Sequence, residues 1–307
     1  MKDLLSITDL SKEQVFSILD LSKKLKASPF QSVLRQRSLA MIFEKPSLRT
    51  RCTFETGMVQ LGGHALYLQP SDIRLGQRET ISDVAKNLER WVDVIMARTF
   101  LHSSITELAE NCSIPVINAL SDIEHPCQAL ADFLTILEHR ETVSGLKVVF
   151  IGDGNNVCHS LMLLSAIVGS DFVLACPAGY EPSEEIVEKT NSIMSKNGNT
   201  FTICNNAKEA AVDADVLYTD VWVSMGQEEE TANRKKIFQP YQINAGLIEV
   251  ANREVLVMHC LPAHRGEEIT TDAIDGTHSV VFDQAENRLH VQKAIILKLL
   301  NKENNIK

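Results

Sequence analysis

Short apolar runs alternate with longer amphipathic segments along the whole chain. The short runs are rich in Val, Ile and Leu and have the length of strands, whereas the segments between them repeat apolar residues at helical spacing. The predicted strands are Leu39–Phe43, Ala65–Leu68, Val94–Ala97, Val116–Ile117, Leu146–Ile151, Phe172–Cys176, Phe201–Cys204, Val216–Thr219, Val255–Met258 and Val280–Phe282. This alternation predicts an α/β fold with mainly parallel sheets covered by helices.

One helical segment marks a domain boundary. Pro126–Arg140 carries an apolar stripe at helical spacing, and a polar stretch separates it from the next predicted strand. We therefore predict two domains, residues 1–140 and 141–307. The terminal segments Leu4–Lys26 and Asn287–Leu300 also have helical spacing, and we expect these helices to pack across the two domains.

Composition narrows the class of protein. The chain has 307 residues, 44% hydrophobic and 23% charged, which fits two globular domains and argues against disorder. A net charge of −10 disfavours nucleic acid and anionic membranes as partners. The seven cysteines are scattered without a Cys-x-x-Cys pair, and neither a spanning segment nor a secretory signal is evident. These features predict a soluble, cytoplasmic protein.

Polar clusters follow many of the predicted strands. In open α/β sheets, ligands bind beyond the carboxyl ends of the strands, although ordinary loops lie there as well. The clusters are Glu44–Ser47, Arg98, Asp122–His125, Gly152–Asn156, Asp220–Gly226, His259–Arg265 and Asp283–Arg288.

The first-half clusters have the composition of an anion site. Ser47 is the expected N-cap of a helix whose first turn holds Arg49 and two hydroxyls. Basic residues in a first turn oppose the helix dipole unless an anion is bound, although a capped, solvated helix is the alternative. His125 and Gln128 flank a second predicted helix start, and Arg98 follows a strand at the same sheet edge; each alone has an ordinary structural explanation.

The second-half clusters suit an amino acid. Asp220 and the hydroxyl of Ser224 suit an ammonium group, and Asn155 with Asn156 offers amide donors for a carboxylate; loop capping is the alternative. The glycine-containing stretch Gly152–Asn156 lacks the third glycine of a dinucleotide fingerprint. The next strand ends in proline rather than in a ribose-binding acid, which argues against a nicotinamide cofactor.

The stretch His259–Glu268 is the densest cluster. Zinc is disfavoured because His259 and His264 are separated by a Pro-containing turn with no second soft ligand nearby. Cys260 as a covalent nucleophile stays open, but no base-and-orienter set surrounds it in the sequence, and a buried cysteine is the ordinary alternative.

Five strings, in this order, closely resemble the ornithine carbamoyltransferase family of the aspartate/ornithine carbamoyltransferase superfamily. They are Phe43–Arg51 (FEKPSLRTR), His125–Asp132 (HPCQALAD), Asp220–Gly226 (DVWVSMG), His259–Gly266 (HCLPAHRG) and Phe282–Arg288 (FDQAENR). The resemblance implies two doubly wound α/β domains linked by helices. It also implies an active site in the cleft between a carbamoyl phosphate-binding domain and an ornithine-binding domain.

The resemblance also assigns residues. Arg98, His125 and Cys260 are the implied catalytic residues. Carbamoyl phosphate is expected to contact Ser47, Leu48, Arg49, Thr50, Arg74, Arg98, His125, Gln128, Cys260, Leu261 and Arg288, and ornithine to contact Asn156, Asp220, Ser224 and Met225. Two positions depart from the family pattern: Leu48 replaces a Thr but keeps its backbone donor, and Arg74 replaces a Gln that reaches a neighbouring subunit's phosphate.

The implied reaction is attack of the ornithine side-chain amine on carbamoyl phosphate, giving citrulline and phosphate in arginine metabolism. The resemblance further implies a homotrimer. The implied reaction requires no metal or organic cofactor, and the net charge already argues against a nucleic-acid or membrane partner. Four alternatives remain. Aspartate as acceptor requires basic residues where Asp220 stands, and putrescine lacks the carboxylate that Asn156 would bind. A dehydrogenase would bind NAD, and a non-catalytic relative would have lost its catalytic positions.

Overall fold

The structure, a computed structural model, describes residues 1–223 and 230–306. The chain forms two compact units. The first comprises Met1–Leu134 together with the segment from Glu286 to the C-terminus, and the second comprises Thr135–Ala285. The division after Leu134 falls inside a helix, whereas the predicted boundary after residue 140 coincides with that helix's end. Within the described ranges, no helix combines the length and apolar character needed to cross a membrane.

The first unit is built on a four-stranded parallel sheet. Its strands are β1 (Ser38–Phe43), β2 (His64–Leu68), β3 (Val94–Arg98) and β4 (Val116–Leu120), in the spatial order β2-β1-β3-β4. Its helices are α1 (Lys12–Ala27), α2 (Leu48–Gln60), α3 (Pro70–Ile73), α4 (Ile81–Leu88) and α5 (His102–Glu110). The central strands β1 and β3 are almost wholly buried, as expected for a parallel sheet covered on both faces.

The second unit is built on a five-stranded parallel sheet. Its strands are β5 (Lys147–Ile151), β6 (Asp171–Ala175), β7 (Phe201–Cys204), β8 (Val216–Thr219) and β9 (Leu256–His259), in the order β7-β6-β5-β8-β9. Its helices are α7 (Asn156–Val168), α8 (Glu184–Asn197), α9 (Ala207–Ala211), α10 (Thr231–Phe238), α11 (Ala245–Val250) and α12 (Thr271–Ile274). Helices α6 (Pro126–Arg140) and α13 (Val281–Leu299) each contribute residues to both units.

The predicted α/β class with parallel sheets is confirmed, and nine of the predicted strands are present. Eight of them have bounds within one residue of those expected, whereas β4 extends three residues past the predicted end at Ile117. The tenth prediction is wrong, because Val281 begins α13 and Val280–Phe282 forms no strand. A run of three apolar residues carries no period of its own. Val281 packs into the core of the second unit, while Phe282 stands exposed in the first turn of the helix.

The N-terminal prediction also needs correction, because Leu4–Lys26 is not one helix. Leu4 instead pairs with the edge of β4: its N–H donates to the Val116 carbonyl at 3.0 Å. A 3₁₀ turn at Ile7–Asp9 follows, and α1 starts only after Ser11, which caps it by accepting from the Gln14 N–H. Serines favour caps over helix interiors because their hydroxyls compete for backbone groups.

At Gly154 the backbone of another loop packs so closely that no side chain would fit. A Cβ built at this position lies 2.4 Å from the Pro182 nitrogen and 2.6 Å from the Glu181 carbonyl carbon. Both neighbours are backbone atoms and cannot rotate away. The glycine therefore permits the loop after β5 to approach the loop after β6, and no dinucleotide is needed to explain it.

We expect Gly154→Ala to lower the free energy of unfolding by about 1–3 kcal/mol, the usual cost of overpacking. Denaturant unfolding measures this change. Gly246→Ala is the matched control, because a Cβ there meets only the Asn244 side-chain oxygen, at 3.3 Å. Equal stability of the two variants would contradict the packing argument.

Candidate active site

The first unit brings two strand ends together at a topological switch point. The chain runs from β1 to β2 on one side of the sheet and resumes at β3 on the other, so a crevice is expected beyond β1 and β3. The Glu44 N–H donates to the Arg98 carbonyl at 2.9 Å and ties these ends together. The pairing of β3 with β4 shifts register between Ala97 and Arg98, so that Arg98, the last residue of β3, follows an irregularity in the sheet.

Helix α2 starts beside this point, as predicted. Ser47 is its N-cap, and its hydroxyl oxygen accepts from the Thr50 N–H at 3.4 Å. The first turn contains Leu48, Arg49 and the buried Thr50. Leu48 is 74% exposed, so the apolar side chain at this position takes no part in the core. The helix thus presents its N-terminal N–H groups together with a guanidinium, which suits a phosphate.

A buried hydrogen-bond network joins three helices of the first unit. Arg288, on α13, donates to the side-chain oxygens of Gln128 on α6 and, at 2.7 Å, of Thr50 on α2. The Gln128 amide nitrogen donates to the carboxylate of Asp132 at 2.7 Å. Because an ionised carboxylate only accepts, Asp132 fixes which end of the Gln128 amide faces Arg288. Side chains from three separate helices are therefore held in one geometry.

His125 lies directly before α6 and is 4% exposed. Burial lowers the pKa of His125 well below its ordinary value, and the positive charges of Arg288, Arg98 and Arg49 lower it further. The imidazole is therefore neutral at physiological pH and offers an N–H without adding charge. The three predicted arginines lie close enough to act on the same imidazole electrostatically.

The second unit has its own switch point between β5 and β8. The Thr219 hydroxyl donates to the Ile151 carbonyl at 2.6 Å and joins the two strand ends. Asn155 caps α7, accepting from the N–H groups of Val157 and Cys158, and its amide nitrogen donates to Asp220 Oδ2 at 2.9 Å. The capping alternative is therefore correct for Asn155, while Asn156 occupies the first position of α7.

Cys260, which follows β9, forms a hydrogen bond with Asp220, which follows β8. Its Sγ donates to Asp220 Oδ1 at 3.0 Å, and the same oxygen accepts from the Val221 N–H at 2.8 Å. The side chains of Asp220, His259 and Cys260 place potential ligand atoms within 4.8 Å of one another. Both ring nitrogens of His259 are already engaged, with Glu268 and with the Leu261 N–H, so a metal ion would have to break a buried hydrogen bond.

Leu261 follows with a left-handed backbone, φ +59°, and a cis bond to Pro262. Its side chain packs against the core of the second unit, so its peptide rather than its side chain is available to a ligand. Ser224 and Met225, two predicted ornithine contacts, lie outside the described residues.

Arg74 occupies a different position in the first unit. It terminates α3 with a left-handed backbone, φ +41°. It lines a cavity of about 300 Å³ together with Glu44, Ser71, Gln77 and Phe100. The predicted contact of Arg74 with a neighbouring subunit's phosphate stays a prediction.

Two family models match this chain, one over its first half and one over its second half. The model of the aspartate/ornithine carbamoyltransferase carbamoyl-P binding domain matches residues 2–138, and that of the Asp/Orn binding domain matches residues 144–299. The chain belongs to the aspartate/ornithine carbamoyltransferase family. The ornithine carbamoyltransferase of Methanosarcina mazei is 54% identical over 303 residues, covering 97% of this chain and 99% of that protein.

Solved structures of the family have the same fold. The ornithine carbamoyltransferase from Pyrococcus furiosus aligns with a TM-score of 0.95 and 49% identity, covering 98% of this chain and 97% of that one. The anabolic ornithine carbamoyltransferase from Campylobacter jejuni aligns with a TM-score of 0.94 and 40% identity, covering 98% and 99% of the two chains.

Several residues that shape this family member's site were not singled out in the sequence. Asp132 fixes Gln128, and its only signal is the i, i+4 spacing on a helix. Arg234 is buried, forms an ion pair with Asp153 and donates to the Trp222 carbonyl at 2.6 Å, bracing the loops after β5 and β8. That contact spans distant positions and carries no local signal.

The depressed pKa of His125 predicts a specific pH dependence of stability. In the unfolded chain this histidine binds a proton near pH 6.5, whereas in the folded chain it stays neutral to lower pH. Protonation then favours unfolding, so stability is lost as pH falls below about 6.5, by up to ~1.4 kcal/mol per pH unit.

We expect His125→Gln to flatten this dependence between pH 5 and pH 6.5, measured by denaturant unfolding. His64→Gln, at an exposed position on β2, is the control and is expected to behave like the unmodified chain. An unchanged pH slope in His125→Gln would show that this imidazole does not stay neutral in the folded state.

Proposed function

We propose that this chain transfers the carbamoyl group of carbamoyl phosphate to the side-chain amine of L-ornithine, giving L-citrulline and phosphate. The observation that carries the proposal is the carboxylate of Asp220, held by Asn155 and Cys260 at the switch point of the second sheet. An acid at this place suits a diamino acid and opposes aspartate, whose second carboxylate would need a cation. The curated relatives of about 50% identity that carry the name ornithine carbamoyltransferase support the same acceptor.

Carbamoyl phosphate fits the charge of the first unit. We infer that the start of α2, with Ser47, the Leu48 backbone N–H, Arg49 and Thr50, binds the phosphate. At ~4 Å and an effective dielectric constant of ~20, one arginine–phosphate pair contributes on the order of 4 kcal/mol before desolvation. Arg98 and neutral His125 would then donate to the carbamoyl oxygen, and Gln128 with Arg288 would orient the carbamoyl amide.

Ornithine fits the second unit. We infer that Asp220 accepts from the α-ammonium group through Oδ2, which keeps one lone pair beyond its contact with Asn155, whereas Oδ1 already accepts from Val221 and Cys260. Asn156, Ser224 and Met225 complete the proposed ornithine set. The requirement for a carboxylate partner at Asn156 separates ornithine from putrescine.

The amine must lose a proton before it attacks. With a pKa near 10.4 for an alkyl ammonium, presenting the neutral amine at pH 7 costs about 4–5 kcal/mol. The Cys260 thiol and the carbonyls of the Cys260–Leu261 turn would favour the neutral amine, and the hydrogen bond from Cys260 to Asp220 gives the departing proton a route to a carboxylate.

The bond changes follow from this arrangement. The amine nitrogen attacks the carbonyl carbon, negative charge develops on the carbonyl oxygen, and the carbon–oxygen bond to phosphate then breaks. Donors from Arg98 and His125 would stabilise the developing charge, and one such donor typically accounts for about 10²–10³ in rate. Arg49 and the α2 N-terminus would stabilise the departing phosphate. We propose that these side chains suffice without a metal or an organic cofactor.

We also propose that the protein is a homotrimer, that it is cytoplasmic and that it acts in arginine biosynthesis. The placement of Arg74 at a cavity beside Phe100, which is 51% exposed, supports a contact with another subunit at this surface.

The direct test supplies purified protein with carbamoyl phosphate and one acceptor at a time: ornithine, putrescine, aspartate or N-acetylornithine. Colorimetric detection of the ureido product measures the transfer. We expect ornithine to give a kcat/KM at least about 10²-fold above the others, because a missing charged partner leaves a polar site group unpaired. Equal use of putrescine would remove the role given to Asn156, and no product with any acceptor would overturn the proposal.

Single substitutions should separate the two substrate sites. We expect Arg49→Gln to raise the KM for carbamoyl phosphate about 10–100-fold and Asp220→Asn to raise the KM for ornithine by a similar factor, each from one lost charge-assisted hydrogen bond. Steady-state kinetics with each substrate varied in turn measure both effects.

Matched controls use exposed residues of the same units. Arg35→Gln and Asp213→Asn carry the same changes in charge away from the proposed sites and should leave both KM values within about twofold. The opposite allocation of the two effects would contradict the assignment of carbamoyl phosphate to the first unit and ornithine to the second.

A further inference from the structure

A fully buried acid supports the turn that contains Cys260. Glu268 and His259 are both 0% exposed, and the His259 Nε2 lies 3.0 Å from Glu268 Oε1. The same oxygen accepts from the His264 N–H at 2.5 Å. Burial raises the pKa of Glu268, but the hydrogen bonds from His259 and from the His264 backbone outweigh it, so that the net pKa is lowered. The carboxylate is therefore ionised at neutral pH.

The tautomer of His259 follows from its two partners. Its Nδ1 lies 2.8 Å from the Leu261 N–H, which can only donate, so Nδ1 carries a lone pair. The proton of the neutral ring is then on Nε2 and is donated to Glu268. An acceptor at position 268 thus selects the tautomer that holds the Leu261 peptide.

The backbone at Leu261 needs such a constraint. A non-glycine residue in the left-handed region costs about 1–2 kcal/mol, and Leu261 has φ +59°. The hydrogen bond from its N–H to His259 offsets part of this cost and fixes the peptide between Cys260 and Leu261. The backbone N–H of His259 in turn donates to the side-chain oxygen of Gln284 at 3.0 Å, which holds the main chain at the start of this turn.

We propose that Glu268 is a positioning residue for carbamoyl transfer: through His259 it fixes the Cys260–Leu261 turn, and thereby aims the Cys260 thiol at Asp220. The kinetic test of this inference rests on the proposed function. Glu268 itself touches neither substrate, because it lies buried behind His259. Its removal should therefore lower kcat while leaving the affinity for carbamoyl phosphate unchanged.

The kinetic experiment compares Glu268→Gln and Glu268→Leu with Glu267→Gln. Glu267 is the adjacent acid, but its carboxylate pairs with Lys235 at 2.6 Å and has no part in the His259 contacts. Gln at 268 keeps an acceptor for His259, whereas Leu removes it. We expect kcat to fall about 10-fold in Glu268→Gln and at least about 100-fold in Glu268→Leu, with the carbamoyl phosphate KM within twofold and Glu267→Gln near the unmodified rate.

A double-mutant cycle separates positioning from general support of the fold. If Glu268 acts through His259, the loss of kcat in Glu268→Gln/His259→Asn should match that of His259→Asn alone. Multiplicative losses would overturn the proposal, as would a loss of kcat in Glu267→Gln equal to that in Glu268→Gln. Because the cycle uses Glu268→Gln, it remains informative even if Glu268→Leu fails to fold.

A chemical arm does not depend on catalysis. Iodoacetamide labelling followed by peptide mass analysis gives the alkylation rate of Cys260, with the exposed Cys52 of the first unit as an internal reference. We expect Cys260 to react at least about fivefold faster in Glu268→Gln than in Glu267→Gln, relative to Cys52, because the thiol loses its aim at Asp220. An unchanged ratio would overturn the positioning role. An unmodified chain that forms no ureido product would overturn the proposed function alone.

Discussion

The concentration of positive charge around one buried imidazole is the constraint on which the first unit depends. Arg49, Arg98 and Arg288 all lower the pKa of His125, so their guanidinium groups act on the same small region. Like charges repel, and the repulsion is strongest where water is excluded. A bound anion reverses the sign of the interaction, because each arginine then attracts it. A neutral histidine contributes a hydrogen-bond donor to the site without adding to the repulsion.

The second unit has the complementary arrangement. Asp220 accepts hydrogen bonds from Asn155, Val221 and Cys260, all of them uncharged donors. These donors hold the carboxylate in place but leave its charge uncompensated by a cation in those contacts. Such a group attracts an ammonium ion and rejects a second carboxylate. In the proposed reaction, the sign of the charge that each sheet presents beyond its switch point would therefore select carbamoyl phosphate in the first unit and ornithine in the second.

Local features of the site were predictable from sequence, because short-range chemistry determines them. Ser47 caps α2 and Pro126 begins α6, as a hydroxyl before a helix and a proline at its first position indicate. The sequence wrongly predicts a strand at Val281, because a three-residue apolar run has no period of its own. The burial of Val281 depends on the core around it. The contact between Arg288 and Thr50 joins residues 238 positions apart, so only the fold reveals it.

Asp132 and Glu268 show why such long-range partners matter for chemistry. The side chains that they hold, an amide and an imidazole, each present a donor on one side and an acceptor on the other, so packing alone leaves two orientations of similar shape. An ionised carboxylate accepts only, and it therefore removes one of the two choices: Gln128 must direct its oxygen at Arg288, and His259 must keep its Nδ1 lone pair for Leu261. Burial strengthens this selection, because an unpaired donor or acceptor in the alternative orientation would lose about 1–3 kcal/mol. Each unit thus has one buried acid, itself outside the proposed substrate contacts, that selects one of the two orientations of an amide or imidazole side chain.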